Sequence, residues 1–220
     1  KSLPYGSASS SLAEGTRITM IKFHFTFDKT VKSQKLKRQL LKNYKNSSPK
    51  KSNVIVVCGG DGYMLNSLKK YVKFKKPFYG INCGTYGFLM NRYISKNLEK
   101  KILRAKKTVI NPLQIISCNN ETNRKTLIAV NEISLFRQTK QTVSLKLEIE
   151  KKIIIKKLIG DGILVSTPAG STAYNLSVHG PILSLNSGKL AITPISPFRP
   201  RRWKGKIVSN ILKIKVTNLD

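Results

Sequence analysis

The chain has 220 residues and carries 41 Lys+Arg against 10 Asp+Glu, a formal net charge of +31. Hydrophobic residues make up 40%, enough to bury one large domain or two modest ones, and no apolar run reaches membrane-spanning length. The charge suits a polyanion. However, the lysines are scattered along nearly the whole chain, and neither RNP-type aromatic strands nor zinc-finger spacing accompanies them. A nucleic-acid partner is therefore not expected, whereas a small anionic nucleotide would gain from the same field.

Residues 1–19 are rich in Ser, Gly and Ala and lack the apolar centre of a secretory signal. They read as a disordered extension, with Met20 as a natural start. Residues 21–27 alternate apolar and polar, placing Ile21, Phe23, Phe25 and Phe27 on one side of a strand. Residues 31–44 follow as a basic amphipathic helix with Val31, Leu36, Leu40, Leu41 and Tyr44 on its apolar face. Residues 54–58 form a buried β-branched strand that enters the turn Gly59-Gly60-Asp61-Gly62. Met64, Leu65, Leu68 and Tyr71 then mark a helix over 63–72. A short strand at 77–82 leads to a second glycine-bearing turn, and 95–105 is helical. This βαβαβα order implies a parallel sheet.

Beyond residue 109 the pattern becomes β. Segments 112–117, 127–130, 143–149, 153–159, 163–166, 189–193 and 212–217 read as strands, with one short helix near 171–177. The expected architecture is an α/β amino-terminal domain (20–109) with a parallel sheet and an all-β sandwich carboxyl-terminal domain (110–220).

The 59–62 turn lies at the carboxyl end of a buried strand and the start of a helix, the usual ligand position in open α/β sheets. Its glycines allow backbone N–H groups to approach a phosphate, and the helix terminus adds partial positive charge. Asp61 is a carboxylate inside this anion cradle. Mg²⁺ ligation, proton abstraction from an attacking hydroxyl, and capping of the following helix are all compatible with it.

Asn131-Glu132 follows an apolar run and offers hydrogen-bonding groups to sugar hydroxyls or a base. As a pair alone it is an ordinary turn. Gly160-Asp161-Gly162 precedes a buried strand. The stretch 166–177 concentrates hydroxyls, small residues and Tyr174, which suits the edges and face of a flat ligand. Cys58, Cys83 and Cys118 are far apart and lack metal spacing, which suits reduced thiols in a cytoplasm.

Together these segments resemble the NAD kinase family. Gly59-Gly60-Asp61-Gly62, Gly80-Ile81-Asn82 with Gly87-Phe88-Leu89, Asn131-Glu132 and Asp161-Gly162 followed by Thr167-Pro168-Ala169-Gly170-Ser171-Thr172-Ala173-Tyr174 occur in the family's order and rough spacing. The 193–203 segment and His179-Gly180-Pro181 resemble its alphaproteobacterial branch.

The resemblance implies ATP-dependent phosphorylation of the 2′-hydroxyl of the adenosine ribose of NAD, giving NADP. Mg²⁺ enters with ATP and is not held in a direct protein cage. Asp61 matches the general base, and Gly59, Gly60 and Gly62 the phosphate-binding turn. Gly62 and Phe88 match residues lining the pocket, and Asn131 and Glu132 the pair holding NAD. Asp161 matches an acid on the nicotinamide side. Thr172, Ala173, Tyr174, Asn175, Leu176 and Ser177 match the adenine-side loop.

The resemblance also implies a cytoplasmic homodimer or homotetramer with the nucleotide site near a subunit interface. Tyr63 stands where many relatives have Thr, which bears on the phosphoryl donor, with ATP expected over polyphosphate. His179 replaces a glycine common in the family and is expected to pack or cap. Arg199, Arg201 and Arg202 form either a phosphate clamp or an interface or surface loop. Relatives continue beyond the position of Asp220, which implies truncation at the carboxyl end. Two alternatives remain: a lipid or sphingoid-base kinase sharing the Gly-Gly-Asp-Gly turn, and a non-catalytic nucleotide- or polyanion-binding protein.

Overall fold

The computed structural model describes residues 21–85, 87–93, 97–119 and 123–220. The expected extension at 1–19 lies outside them. Two compact units are formed, one ending at Lys107 and the other covering Thr108–Asp220.

In the first unit, β1 (Phe23–Phe27), β2 (Val54–Gly59) and β3 (Phe78–Asn82) form a parallel sheet in that order. Alternation along β2 explains its uninterrupted apolar run. Val56 and Cys58 pack on one face with Phe23, Phe25, Leu36 and Leu40. Ile55 and Val57 pack on the other with Met64 and Tyr71. The sheet thus has α1 (Val31–Asn43) and α3 (Leu98–Arg104) on one side and α2 (Asp61–Tyr71) on the other. A parallel strand covered on both faces has no polar side to display.

In α1, Leu36 and Leu40 are buried as expected, whereas Val31 is 87% exposed. Val31 is the first residue of the helix, directly after the Thr30 cap, and Ser33 takes the inward position, donating to the Cys58 carbonyl at 2.9 Å. All three strands end at one edge, where Asp28 N–H donates to the Cys58 carbonyl and Cys83 N–H to the Gly59 carbonyl.

The second unit is a sandwich. One antiparallel sheet contains β6 (Glu132–Phe136), β9 (Gly162–Ser166), β10 (Lys189–Ile195) and β11 (Lys206–Ser209). The other contains β8 (Lys152–Gly160), β7 (Val143–Ile149) and β12 (Ile214–Asn218). Leu145, Leu147, Ile155 and Leu158 of the second sheet meet Ile163, Val165, Leu190 and Ile192 of the first in a single core. Strands β4 (Leu113–Asn119) and β5 (Asn123–Ala129) make a separate hairpin.

Strands β6 and β11 are absent from the sequence expectation. Both are outer strands of their sheet with mostly unburied residues, so their apolar alternation is weak. The expected strand at 127–130 is the end of β5, so Asn131 occupies the corner between β5 and β6.

Candidate functional site

Asp61 is the first residue of α2. Gly60, in extended conformation, is the residue that caps the helix. The capping role for the Asp61 side chain is therefore not realised. Its carboxylate instead accepts the Phe88 N–H at 2.8 Å and the Leu89 N–H at 3.0 Å. A carboxylate has about four acceptor positions, so these two bonds leave capacity for a hydroxyl or a hydrated cation.

The first-turn N–H groups of α2 lack intrahelical acceptors, as at any helix start. Around Gly60 and Gly62 no described atom would lie within 4 Å of an added Cβ, so the turn's outer side is open. Gly59 differs: a Cβ there would sit 2.9 Å from both Asp28 Oδ2 and the Tyr63 ring. The strand end is therefore tightly packed at Gly59, while 60 and 62 keep the approach clear. Asp28 is a further carboxylate at this edge that the sequence reading did not single out. It accepts from the Thr30 N–H and hydroxyl. Tyr63 bonds the Thr26 hydroxyl at 2.6 Å, which ties α2 to β1 and spends the group expected to influence donor choice.

In the second unit, Asn131 stands at the corner before β6, and Glu132, the first residue of β6, pairs with Ser166 of β9. The corner is bound to the loop after β9. Thr167 N–H donates to the Asn131 carbonyl at 2.9 Å, and the Thr167 hydroxyl to the Val130 carbonyl at 2.7 Å. Gly170 N–H in turn donates to Thr167 Oγ1 at 3.1 Å. Against this framework, Asn131 Oδ1 and Glu132 Oε2 are buried with no partner among the described residues. Burial pushes the Glu132 carboxyl above its ordinary value. Two buried acceptors without donors are costly unless a ligand supplies the donors.

The loop divides into an inner and an outer set. Ser166, Thr167, Ser171 and Asn175 are fully buried. Thr172 and Ala173 are half-buried, whereas Tyr174, Leu176 and Ser177 are exposed. The last three belong to the single helical turn α4 (Tyr174–Ser177).

These motifs have relatives. Residues 130–218 match the family model for the ATP-NAD kinase C-terminal domain. The chain is 44% identical over 195 residues to the NAD kinase of Zymomonas mobilis, covering 87% of this chain and 76% of that one. It is 40% identical over 202 residues to the NAD kinase of Brucella melitensis, covering 92% and 79%. The chain belongs to the NAD kinase family. Among solved structures, the NAD kinase of Archaeoglobus fulgidus in complex with ATP aligns with a TM-score of 0.65 at 25% identity, covering 90% of this chain and 81% of that one. Yeast NADH kinase complexed with NADH aligns with a TM-score of 0.62 at 24% identity over 80% of this chain and 54% of that one, and supports the fold. The lipid-kinase and non-catalytic readings are not favoured by these relatives.

Asn175, expected in the adenine-side loop, is fully buried and bonded within its own unit. Its amide donates to the Ser171 and Pro181 carbonyls at 3.3 and 2.9 Å and accepts from the Thr193 hydroxyl at 2.7 Å. It is an interior fastener, and a Cβ on Gly180 would come within 2.1 Å of it.

Asp161 is not gathered with Asn131 and Glu132 either. It directly precedes β9, whereas Glu132 pairs with Ser166 at the strand's far end. Five residue steps of strand, roughly 17 Å, separate the two positions. The Asp161 carboxylate is held by Arg137 Nε at 2.6 Å, a partner the sequence reading missed.

His179 is exposed and adopts φ 63°, with its N–H donating to the Leu176 carbonyl. It neither packs nor caps with its ring. Glycine would adopt this left-handed backbone without a Cβ penalty. Arg199 and Arg201 lie over the Phe198 ring at 5.5 and 5.1 Å, on an exposed loop.

Among the described residues, no cluster of His, Cys, Asp or Glu could hold a metal, and no helix is long and apolar enough to cross a membrane.

Proposed function

We propose that this chain transfers the γ-phosphoryl group of ATP to the 2′-hydroxyl of the adenosine ribose of NAD, making NADP. The observation carrying this reading is the Asn131–Glu132 corner, where two buried acceptors without donors stand against a loop fixed by Thr167 and Gly170. Ribose hydroxyls and an adenine amino group are donors of the kind such acceptors need. Thr172, Ala173, Tyr174, Leu176 and Ser177 contribute the accessible side of the adenine-side loop.

In this reading Asp61 takes the proton from the attacking hydroxyl, because a neutral ribose hydroxyl is a poor nucleophile. The open backbone at Gly60 and Gly62 receives phosphate oxygens. Mg²⁺ suits this edge, since it is commonly held by one or two carboxylates plus substrate phosphates. When bound it would neutralise polyphosphate charge. Asp61, with acceptor capacity left over, is the residue that would face it.

ATP is the proposed donor, and a homodimer or homotetramer the proposed assembly. The separation of Asp161 from Asn131 within one chain supports a second copy as its route to the nicotinamide side. Cys58 and Cys83, both buried free thiols raised above the ordinary thiol value by burial, suit a reducing cytoplasm.

The test is NADP formation by the full chain from NAD with ATP and Mg²⁺. Turnover supports the reading, and its absence with a folded chain overturns it. Asp161→Asn then tests the oligomer. The Arg137 pair is partly exposed and is worth about 1 kcal/mol or less, so a large fall in NAD affinity in a well-folded variant would report lost ligand contact.

A further inference from the structure

Asp61 has more geometry around it than a proton acceptor needs. Its two oxygens are taken by the consecutive backbone N–H groups of Phe88 and Leu89, in the glycine-bearing loop after β3. The loop's base closes without it. Asn82 N–H donates to the Asn91 carbonyl at 2.8 Å and Asn91 N–H to the Gly80 carbonyl at 2.9 Å. The Asn91 amide donates to the same Gly80 carbonyl at 3.1 Å, and Gly84 N–H to Asn82 Oδ1 at 2.8 Å. Leu89 and Met90 pack against the Ile55, Val57 and Met64 cluster. Phe88 is different: its ring is 65% exposed, so the core does not hold it. What fixes the Phe88–Leu89 peptide direction is the Asp61 carboxylate. Gly87 lies against that carboxylate, since a Cβ there would be 3.2 Å from Asp61 Oδ1.

We infer that Asp61 is a positioning residue in addition to the proposed base: its carboxylate clamps the tip of the second glycine-bearing turn and so presents Phe88 to the nucleotide before any proton moves. The clamp stands on the distances, while its effect on binding rests on the proposed nucleotide site. Only a carboxylate offers an acceptor to both N–H groups from so short a side chain. In Asp61→Asn, one of the two N–H groups must face the amide NH₂, donor against donor, whichever way the amide turns. The substitution therefore removes a base and releases the loop together. A base-only role predicts lost turnover with NAD affinity retained, whereas the clamp predicts that both fall.

The experiment compares wild type, Asp61→Asn and Phe88→Ala as full chains. Backbone amide exchange is read by NMR without nucleotide, and NAD dissociation constants are measured separately. In Asp61→Asn, exchange at the Phe88 and Leu89 amides should accelerate about tenfold or more, as for loss of a charge-assisted hydrogen bond. The β2 amides of Ile55–Val57 should be unchanged, and NAD affinity should fall severalfold. Phe88→Ala should weaken NAD with the β2 amides also unchanged. Unaltered exchange at Phe88 and Leu89 in Asp61→Asn overturns the clamp. Accelerated exchange with unchanged NAD affinity in both variants overturns its role in binding. Failure of the kinase reading would appear elsewhere, as absent NADP formation by the wild type, and would leave the exchange result intact.

Discussion

A Cβ placed on Gly170 would lie 2.3 Å from the Asn131 carbonyl oxygen and 2.4 Å from its carbonyl carbon. The loop after β9 therefore touches the β5–β6 corner backbone to backbone, a distance that admits only glycine. Gly170→Ala must push the corner away, because backbone atoms cannot swing aside as a flexible side chain can. We expect a loss of about 3 kcal/mol, at the upper end for overpacking. NAD affinity should fall with it, since the same shift moves Asn131 and Glu132. Chemical denaturation and NAD titration of the variant check both effects.

Gly62→Ala separates ligand approach from packing. Gly62 lies in the first turn of α2 with no described atom within 4 Å of an added Cβ. Alanine is the better helix former and should stabilise the chain by about 0.5–1 kcal/mol. If the turn receives phosphate, the added methyl group obstructs it. The expected result is a raised Tm with a higher KM for ATP, and an unchanged KM would remove Gly62 from the phosphate site.

Asn175 and its neighbours show what the motif block concealed. The block suggested a ligand-facing loop, but a tight turn buries some side chains and exposes others, and composition does not say which. Asn175→Ala should cost about 3 kcal/mol, because the Thr193 hydroxyl and the Pro181 carbonyl lose their partners in the interior. A residue that merely touched ligand would lose affinity with Tm intact, so thermal unfolding distinguishes the two.

The same distinction explains how far the sequence could be read. The parallel half was legible because β2, buried on both faces, must be apolar throughout, and because its strand-to-helix turn is marked by glycines. Outer strands β6 and β11 were not legible, since few of their residues are buried. The three local roles considered for Asp61 omitted its actual partners. Phe88 and Leu89 lie 27 and 28 residues downstream, and tertiary contacts of that separation leave no periodic signal. The likeness of the motifs identified the Asn131–Glu132 pair, but the absence of donors for its acceptors emerges only once the loop is folded against it.

His179→Gly tests the backbone argument at the end of α4. With φ 63°, His179 occupies the left-handed region at a cost for any residue with a Cβ. Its ring is on the surface and its N–H bond to the Leu176 carbonyl is available to glycine. The variant should gain about 1 kcal/mol in denaturant unfolding. A loss would mean that the exposed ring makes a compensating contact.

Glu132 couples stability to function through pH. Burial raises its carboxyl above the ordinary value, so in the window between the two the folded chain holds a proton that the unfolded chain has released. Stability then falls as pH rises through that window, and the cost is fully present above the raised value. The favourable contribution is fully present only at pH below the ordinary carboxyl value. Glu132→Gln removes the charge while keeping the shape. Its Tm should exceed that of the wild type at neutral pH, and the difference should vanish at acidic pH, where both side chains are neutral. NAD affinity at neutral pH should move in the opposite direction, because the buried oxygen awaiting a donor becomes an amide of altered bonding capacity. Paired melting curves and NAD titrations across pH decide it. Equal Tm values at neutral pH would show that the carboxylate is adequately solvated, and the argument that it is held in an unfavourable state to await ligand would fail.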